Sequence, residues 1–287
     1  MVVLQMIERP MYADKIMAYV NTPFVKILTG VRRCRKSTLL KMIMERLKSE
    51  HNVPGERILS YRFDSMEYDG ATVKQIYDEL KSRLYADGKT YLFLDEIQNI
   101  ESWPLFVNRL LRQKMHLFIT GSNSKLLSKE LSTHLTGRNN KVELYPFSYS
   151  EYCTMKKIDT TSLSTKAKGI RKSTLHEYLL QGGFPELFNE SNRRGYINGL
   201  LDAIIKNDIA KRFKVRNVEA LRRIAAYLAD NYCQEFVAKT VGELFGVSNH
   251  TAENYYSYLK EAFLLVGVNR FSYKSKDRVR NEKVYVV

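Results

Sequence analysis

The chain has 287 residues, of which 44% are hydrophobic, so it is long enough for two domains with a core in each. No apolar run approaches the roughly 20 residues that span a bilayer, and the N-terminus lacks a signal-peptide pattern. The three scattered cysteines argue against a disulfide framework. Together these features favour a cytoplasmic protein with no membrane partner. The net charge of +15 is spread over residues 1–150 (23 basic, 16 acidic) and 151–287 (23 basic, 15 acidic), which favours polyanionic partners, although a basic protein without any nucleic-acid role has the same balance.

The first half of the chain alternates short β-rich runs with helical patterns. Apolar runs predict strands over residues 24–28, 58–63, 91–94, 117–119 and 142–144. Apolar residues at the helical period predict helices over residues 37–50, 71–84, 103–113 and 125–131. This alternation predicts an α/β domain, residues 1–155, in which a mostly parallel sheet carries helices on both faces.

The pattern changes after Pro146. Residues 160–172 are polar and rich in Ser, Thr and Lys, which predicts an exposed connection. From there to about Leu265 the chain is mainly helical, with apolar residues such as Ile205 and Ile209 on one face. The sequence thus predicts a helical linker and a second domain over residues 156–287.

A candidate phosphate loop joins the first strand to the first helix. It runs Gly30-Val31-Arg32-Arg33-Cys34-Arg35-Lys36-Ser37-Thr38. A strand, a loop and a helix in this order are the context of the G-x-x-x-x-G-K-[ST] pattern, in which backbone N–H groups and the helix N-terminus bind phosphate. Lys36 is predicted to reach the β- and γ-phosphates of ATP, and Ser37 to place its hydroxyl on Mg²⁺. The alternative is a basic loop that begins a helix and binds no ligand.

One residue of this loop departs from the pattern. Arg35 stands where the pattern has glycine, which lets the backbone approach phosphate without a side chain in the way. The arginine charge attracts phosphate, but its bulk lies at the tightest contact. The sequence leaves open whether the loop still binds ATP.

Two carboxylates follow the apolar strand over residues 91–94. Asp95 and Glu96 are therefore expected at the carboxyl edge of the sheet, where ligands bind in open α/β folds. Asp95 is predicted to hold Mg²⁺, and Glu96 to polarise the water that attacks the γ-phosphate. The alternative is a strand that ends in solvated acids.

Three further candidate residues lie before the last strand. Ser122 and Asn123 follow another buried strand and are predicted either to reach the γ-phosphate or its attacking water, or to form a turn and a helix cap. Arg138, in Leu135-Thr136-Gly137-Arg138, is either an arginine finger that stabilises the transferring phosphoryl group or an ordinary exposed arginine.

Several motifs in this order resemble the prokaryotic AAA-type P-loop ATPases that carry a C-terminal winged-helix domain of poorly defined function. The matching segments are residues 7–10 (IERP), 30–33 (GVRR), 36–38 (KST), 93–98 (FLDEIQ), 120–124 (TGSNS), 135–138 (LTGR) and 182–186 (GGFPE). The resemblance implies that one further strand lies between the phosphate-loop strand and the acidic strand, and it favours the sensor and arginine-finger roles. Such ATPases usually continue into a nuclease-like domain, so we expect that this chain, which ends at Val287, is a shortened form.

The C-terminal segment carries the plan of a winged helix. Residues 240–248 predict a short helix and a turn, a longer helix follows over residues 249–262 with Ser248 as its N-cap, and two strands flank a charged tip. The residues predicted to contact DNA are Asn249 on the second helix and Lys274, Lys276, Arg278 and Arg280 at the tip. The helix is barely basic, so protein docking is the alternative.

Two functions are open on this basis. The first is an ATPase that couples nucleotide binding or hydrolysis to DNA, to a protein partner or to self-association. The second is a non-hydrolysing DNA-binding or protein-docking regulator whose phosphate loop is impaired by Arg35.

Overall fold

The structure, a computed structural model, describes residues 7–85, 87, 89–122, 139–274 and 281–287. The chain divides into two compact units, Met1–Ser191 and Asn192–Val287. Residues 156–191, which the sequence analysis assigned to the second domain, belong to the first of these units. No helix within the described ranges is long and apolar enough to cross a bilayer.

The first unit contains a parallel sheet that confirms the predicted α/β architecture. Its strands are β1 (Val25–Gly30), β2 (Ile58–Arg62), β3 (Tyr91–Asp95), β4 (His116–Gly121) and β5 (Asn139–Leu144). Their order is β2-β3-β4-β1-β5, and each neighbouring pair is parallel. Strand β4 therefore separates the phosphate-loop strand from the acidic strand, as the family resemblance implies.

The helices of the first unit lie before, between and after these strands. They are α1 (Pro10–Met17), α2 (Lys36–His51), α3 (Val73–Lys81), α4 (Trp103–Arg112), α5 (Tyr149–Met155) and α6 (Thr165–Gln181). The predicted helices that correspond to α2, α3 and α4 are confirmed, and α4 has a proline in its first turn. The predicted helix over residues 125–131 lies outside the described residues.

The polar segment over residues 160–172 is a helix from Thr165 onward, so the predicted connection is wrong for that part. The Ser164 hydroxyl accepts the Ala167 N–H at 3.2 Å and caps α6. Thr174 is the only residue of α6 that is buried. This helix therefore lacks the apolar stripe on which sequence periodicity depends, while its Lys, Arg and Leu residues favour helix intrinsically.

The core of the first unit surrounds the middle of the sheet. Strands β1 and β3 are buried along their whole length, as expected of parallel strands covered on both faces. Helix α4 contributes Trp103, Phe106 and Leu110 to a cluster with Leu94 and Ile119. Burying a side chain of this size stabilises the fold by about 1.5–3 kcal/mol, so the cluster fixes the strand ends that carry the site.

The second unit is mainly helical and ends in a β-ribbon. It contains α7 (Arg193–Ala203), a π-helical stretch (Ile204–Ala210) with a last turn (Lys211–Phe213), α8 (Val218–Asp230), α9 (Ala238–Phe245), α10 (Asn249–Glu261), β6 (Leu265–Val268) and β7 (Lys283–Val286). Strands β6 and β7 pair in antiparallel register. The Ser248 hydroxyl accepts the Thr251 N–H at 3.1 Å, which confirms the predicted N-cap of α10.

Candidate nucleotide-binding site

The phosphate loop and the acidic pair lie at one edge of the parallel sheet. Because β1, β3 and β4 are parallel, their carboxyl ends meet at the same edge. The loop after β1, the carboxylates after β3 and the polar residues at the end of β4 are thereby brought together. Ligands of open α/β folds bind at this edge.

The phosphate loop begins at a residue that must be glycine. Gly30 has a φ of +151°, and a Cβ atom there would lie 1.9 Å from the main-chain oxygen of Leu144 on β5. Any side chain would therefore push β5 away from β1. Further along the loop, the Cys34 N–H donates to the Val31 carbonyl at 3.3 Å and closes a turn. The Cys34 side chain is fully buried.

Arg35 adopts the backbone conformation that a glycine would adopt in its place. As the residue before α2 it has a φ of 68° and a ψ of 41°, in the left-handed region. Arg33 is left-handed too, with a φ of 67°. A residue other than glycine pays about 1–2 kcal/mol for this conformation. The loop therefore keeps a glycine-type backbone at position 35, with conformational strain and a half-buried arginine side chain as the consequences.

Lys36 links the loop to the acidic pair. Its side chain is 5% exposed, and Nζ lies 3.9 Å from Glu96 Oε1. The ammonium also donates to the carbonyls of Gly30 at 3.1 Å and Val31 at 3.2 Å. These contacts place a buried positive charge between the loop backbone and a carboxylate. Ser37 and Thr38, which follow on the first turn of α2, are half-buried.

Thr120 organises the two carboxylates after β3. Its hydroxyl donates to Asp95 Oδ1 and accepts the Glu96 N–H at 2.8 Å. Asp95 is 3% exposed, and its Oδ2 lies 4.0 Å from Arg62 Nε. Glu96 has a left-handed φ of 53°, and its Oε2 accepts a hydrogen bond from Gln98 Nε2. No role was predicted for Thr120, which lies in the motif at residues 120–124. Its hydroxyl at the end of a buried strand was the available signal.

The donor set at this edge fits a nucleotide with a divalent cation. The Ser37 hydroxyl and the Asp95 carboxylate are oxygen donors of the kind that Mg²⁺ takes, and Lys36 supplies positive charge for phosphate. Among the described residues no three His, Cys, Asp or Glu side chains group as a metal site. Mg²⁺ bound beside phosphates usually has only one or two protein carboxylates as ligands.

The remaining predicted site residues fall into two groups. Asn123 and Arg138 lie outside the described residues, as do Lys276, Arg278 and Arg280. Asn249 is exposed as the first residue of α10, and Lys274 is exposed beyond β6. Both belong to the second unit.

Two known families match separate parts of the chain. Residues 22–153 match the family described as "AAA domain". Residues 172–287 match the family described as "Domain of unknown function (DUF8612)". Residues 22–153 are thus similar to AAA domains.

Two relatives cover most of this chain. A Haemophilus influenzae protein named "Uncharacterized protein" is 32% identical over 293 residues, which span 98% of this chain and 72% of the relative. A Methanocaldococcus jannaschii protein, "Uncharacterized protein MJ1544", is 31% identical over 276 residues, 92% of this chain and 60% of its own length. The chain belongs to the same family as the Haemophilus protein.

Two solved structures show a distant similarity. AMPPCP-bound DnaA from Aquifex aeolicus is 13% identical with a TM-score of 0.37, covering 87% of this chain and 86% of that one. C. elegans PCH-2 is 13% identical with a TM-score of 0.38, covering 88% of this chain and 65% of that one. Scores this low say nothing about the activity of this chain.

Proposed function

We propose that the first unit binds ATP with Mg²⁺ at the phosphate loop and hydrolyses it. The observation that carries this proposal is the environment of Lys36. A lysine that is 5% exposed, at the start of α2, lies 3.9 Å from the carboxylate that follows the acidic strand. A buried ammonium that lies between loop carbonyls and the Glu96 carboxylate is suited to neutralise the charge of a phosphate.

Each residue of this edge has a distinct role in the proposal. Lys36 binds the β- and γ-phosphates, while Ser37 and Asp95 hold Mg²⁺, which supplies charge neutralisation on the phosphates. Glu96 orients and polarises the attacking water, and Thr120 fixes both carboxylates through its hydroxyl. Asn123 and Arg138 remain the proposed sensor and arginine finger.

Arg35 lowers the affinity of this site in the proposal without abolishing it. The left-handed backbone at residue 35 keeps the glycine-type path of the loop, so the main-chain donors remain available. The loss of affinity comes from the arginine side chain, which is half-buried beside the loop. Arg35→Gly removes that side chain, and the strain with it.

Calorimetry with ATP and Mg²⁺ tests the proposal. We expect the wild-type chain to bind, and Arg35→Gly to bind at least tenfold more tightly. Arg33→Gly is the matched control, because residue 33 has almost the same φ, 67° against 68°. It should change the affinity less than threefold. If neither the wild-type chain nor Arg35→Gly binds, the nucleotide site is wrong.

The strain at Arg35 also supports a second candidate function, a nucleotide-binding switch that does not hydrolyse. Phosphate release measured on the wild-type chain and Arg35→Gly separates the two. An ATPase turns over in both forms, with the glycine variant faster. Binding by both forms with turnover in the glycine variant alone identifies the non-hydrolysing switch.

We further propose that residues 192–287 form a winged helix that binds DNA. The supporting elements are α9, a turn, α10 and the antiparallel β6–β7 ribbon. Asn249 and His250 are exposed at the start of α10, as in a helix that reads a groove. Lys274 is exposed next to the ribbon, where a wing contacts phosphates.

Two further basic residues, Lys214 and Arg216, support this proposal. The Phe213 ring stacks on Tyr258 of α10 with centroids 3.9 Å apart. The Tyr255 hydroxyl donates to the Asn217 carbonyl at 3.2 Å. These contacts hold the segment between Phe213 and Asn217 against α10, and Lys214 and Arg216 within it are exposed. They add positive charge beside α10, whose one basic residue other than His250 is Lys260, in its last turn.

DNA binding at several salt concentrations tests the second unit. Affinity should fall steeply with salt, because each neutralised phosphate releases counterions. Lys214→Ala/Arg216→Ala should reduce the slope of log affinity against log salt by about 1–2, whereas Lys166→Ala/Lys168→Ala, which removes the same charge from exposed positions of α6, should not. A flat salt response, or no binding at low salt, leaves protein docking as the function of this unit.

A further inference from the structure

A buried arginine at the N-terminus contacts the phosphate loop. Arg9 precedes Pro10 and α1 and is 3% exposed. Its Nη1 donates to the Cys34 carbonyl at 3.2 Å. Its Nη2 donates to the Tyr145 carbonyl at 3.0 Å and, at 3.4 Å, to that of Pro146. One guanidinium thus connects the loop after β1 to the segment after β5.

The same guanidinium is held on its other side by a carboxylate. Arg9 Nε and Nη2 donate to the two oxygens of Glu151 at 2.6 and 3.0 Å, a bidentate pair. Burial raises the pKa of Glu151, but the hydrogen bonds from Arg9 and from the Ser148 N–H lower this pKa by more than burial raises it. The pKa of Glu151 therefore lies below its usual range. Glu151 is itself fixed by the capping box of α5, formed with Ser148. Glu151 therefore holds one side of the Arg9 guanidinium, while Nη1 contacts the loop.

Aromatic rings complete the site of Arg9. The guanidinium carbon lies 4.6 Å from the centroid of the Tyr12 ring and 5.2 Å from that of Phe147. A planar guanidinium between two rings has little rotational freedom, and lysine cannot reproduce its fork of donors.

The contact to Cys34 determines the direction of the next N–H group. In a trans peptide the carbonyl and the following N–H point in opposite directions, and no described peptide bond is cis. The Cys34 carbonyl faces Arg9, so the Arg35 N–H faces away from it. A phosphate loop binds its ligand with such N–H groups. Arg33 and Arg35, the residues on either side of Cys34, both have a left-handed backbone. The peptide between Cys34 and Arg35 therefore needs support from outside the loop to keep this orientation.

We infer that Arg9 is a positioning residue of the nucleotide site: by holding the Cys34 carbonyl, it aims the Arg35 N–H at the bound phosphate. The inference rests on the proposed nucleotide site for its functional meaning. Its structural content, that Arg9 keeps the loop closed over Cys34, is testable without any nucleotide.

Alkylation of the native protein with iodoacetamide, followed by mass spectrometry of the labelled peptides, tests the structural content. Cys34 and Cys153 are both fully buried, so Cys153 reports global opening and Cys34 reports the loop. In Arg9→Lys we expect Cys34 to be labelled at least tenfold faster than in the wild-type chain, with Cys153 changed less than twofold. Arg46→Lys is the control, because Arg46 is likewise an arginine paired with carboxylates of the same unit, Glu50 and Asp14, both at 2.7 Å. It should change neither rate.

Calorimetry tests the functional content in the same variants. If Arg9 aims a phosphate-binding N–H group, Arg9→Lys should lower ATP affinity at least tenfold and leave the affinity for adenosine unchanged. Arg35→Gly serves as the background if the wild-type chain binds too weakly to measure. If Arg9→Lys does not fold, Arg9→Met/Glu151→Met takes its place, because a buried pair replaced whole by apolar residues is often tolerated.

The outcomes separate this inference from the proposed function. If neither the wild-type chain nor Arg35→Gly binds ATP, the nucleotide site is refuted, and so is the proposal that Arg9 aims the Arg35 N–H at phosphate. The labelling rates then still decide whether Arg9 keeps the loop closed over Cys34. An unchanged Cys34 rate in a folded variant overturns the inference even if ATP binds. Equal acceleration of Cys34 and Cys153 also overturns it, since Arg9 then stabilises the unit as a whole.

Discussion

The two ends of the first sheet each contain a buried lysine, and their surroundings differ. At the carboxyl end, Lys36 has two loop carbonyls and the Glu96 carboxylate within 3.9 Å. At the amino end, Lys26 is 3% exposed. It donates to the Thr22 carbonyl at 2.7 Å and lies 5.3 Å from the centroid of the Phe118 ring. Within the described residues no ion pair to Lys26 is found.

This difference shows that burial alone does not identify a functional charge. Burial lowers the pKa of Lys26 to about 8, as desolvation does when no counter-charge offsets it. Lys36 is nearly as buried, but it lies beside a carboxylate at the edge where ligands bind. We therefore expect substitutions at the carboxyl end to change nucleotide chemistry, and those at the amino end to change stability alone.

The largest effect should follow from removing the counter-charge of Lys36. Glu96→Gln should lower the rate of ATP turnover about 10²–10³-fold, because the amide cannot polarise the attacking water. ATP affinity should stay within threefold. Phosphate release and calorimetry on the same preparation measure both, with Arg35→Gly as the background if wild-type turnover is slow. Unchanged turnover would show that Glu96 only neutralises Lys36.

The next prediction compares two buried threonines at the ends of neighbouring strands. Thr120→Val should lower the free energy of unfolding by about 2–3 kcal/mol, because it leaves the Asp95 carboxylate and the Glu96 N–H without their partner. Thr29 is equally buried, but its hydroxyl has no hydrogen-bond partner among the described residues. Thr29→Val should therefore not lower the stability, and the loss of an unpaired buried hydroxyl should raise it by about 1 kcal/mol. Urea unfolding measures both, and equal losses would contradict the network around Thr120.

A third prediction tests the amino end. Lys26→Met should stabilise the first unit by about 1–2 kcal/mol at pH 7, because a charged group that is costly to bury is replaced by an apolar one. In the wild-type chain the folded pKa of about 8 lies below the unfolded value near 10.5. Between these values the unfolded chain binds more protons, so the stability conferred by this residue rises with pH. The gain from Lys26→Met should thus shrink from pH 8 to pH 10; a gain that is constant across this range would contradict the burial cost.

The smallest effect concerns the strained loop. Arg35→Gly and Arg33→Gly should each raise the free energy of unfolding by about 0.5–1 kcal/mol. Glycine relieves about 1–2 kcal/mol of left-handed strain but adds about 0.4–1 kcal/mol of unfolded-state entropy. The 3.6 Å ion pair from Arg33 to Glu186 is largely exposed and should contribute little. Destabilisation by either variant would mean that its arginine makes contacts worth more than the strain.

The sequence predicted the parts of the site that depend on spacing. Strand periodicity and the order of motifs placed Lys36 and Asp95 at one edge, because parallel strands end together. The first part of α6, residues 165–172, was predicted as a connection because this helix buries no apolar stripe. The partners of Arg9 are up to 142 residues away along the chain, so no local pattern could reveal them. No role was predicted for Lys26 within its strand, because tertiary packing decides whether a charged side chain has a partner of opposite charge.

The most direct test of the account is an ATP titration, with Mg²⁺, of Lys36→Met beside Lys26→Met. Both variants remove one buried ammonium from the same sheet and replace it with the same side chain. We expect Lys36→Met to lower ATP affinity at least a hundredfold, about 2.7 kcal/mol or more, while the affinity of Lys26→Met stays within twofold of the wild-type chain. Equal affinities for the two variants would contradict the assignment of the carboxyl end as the nucleotide site.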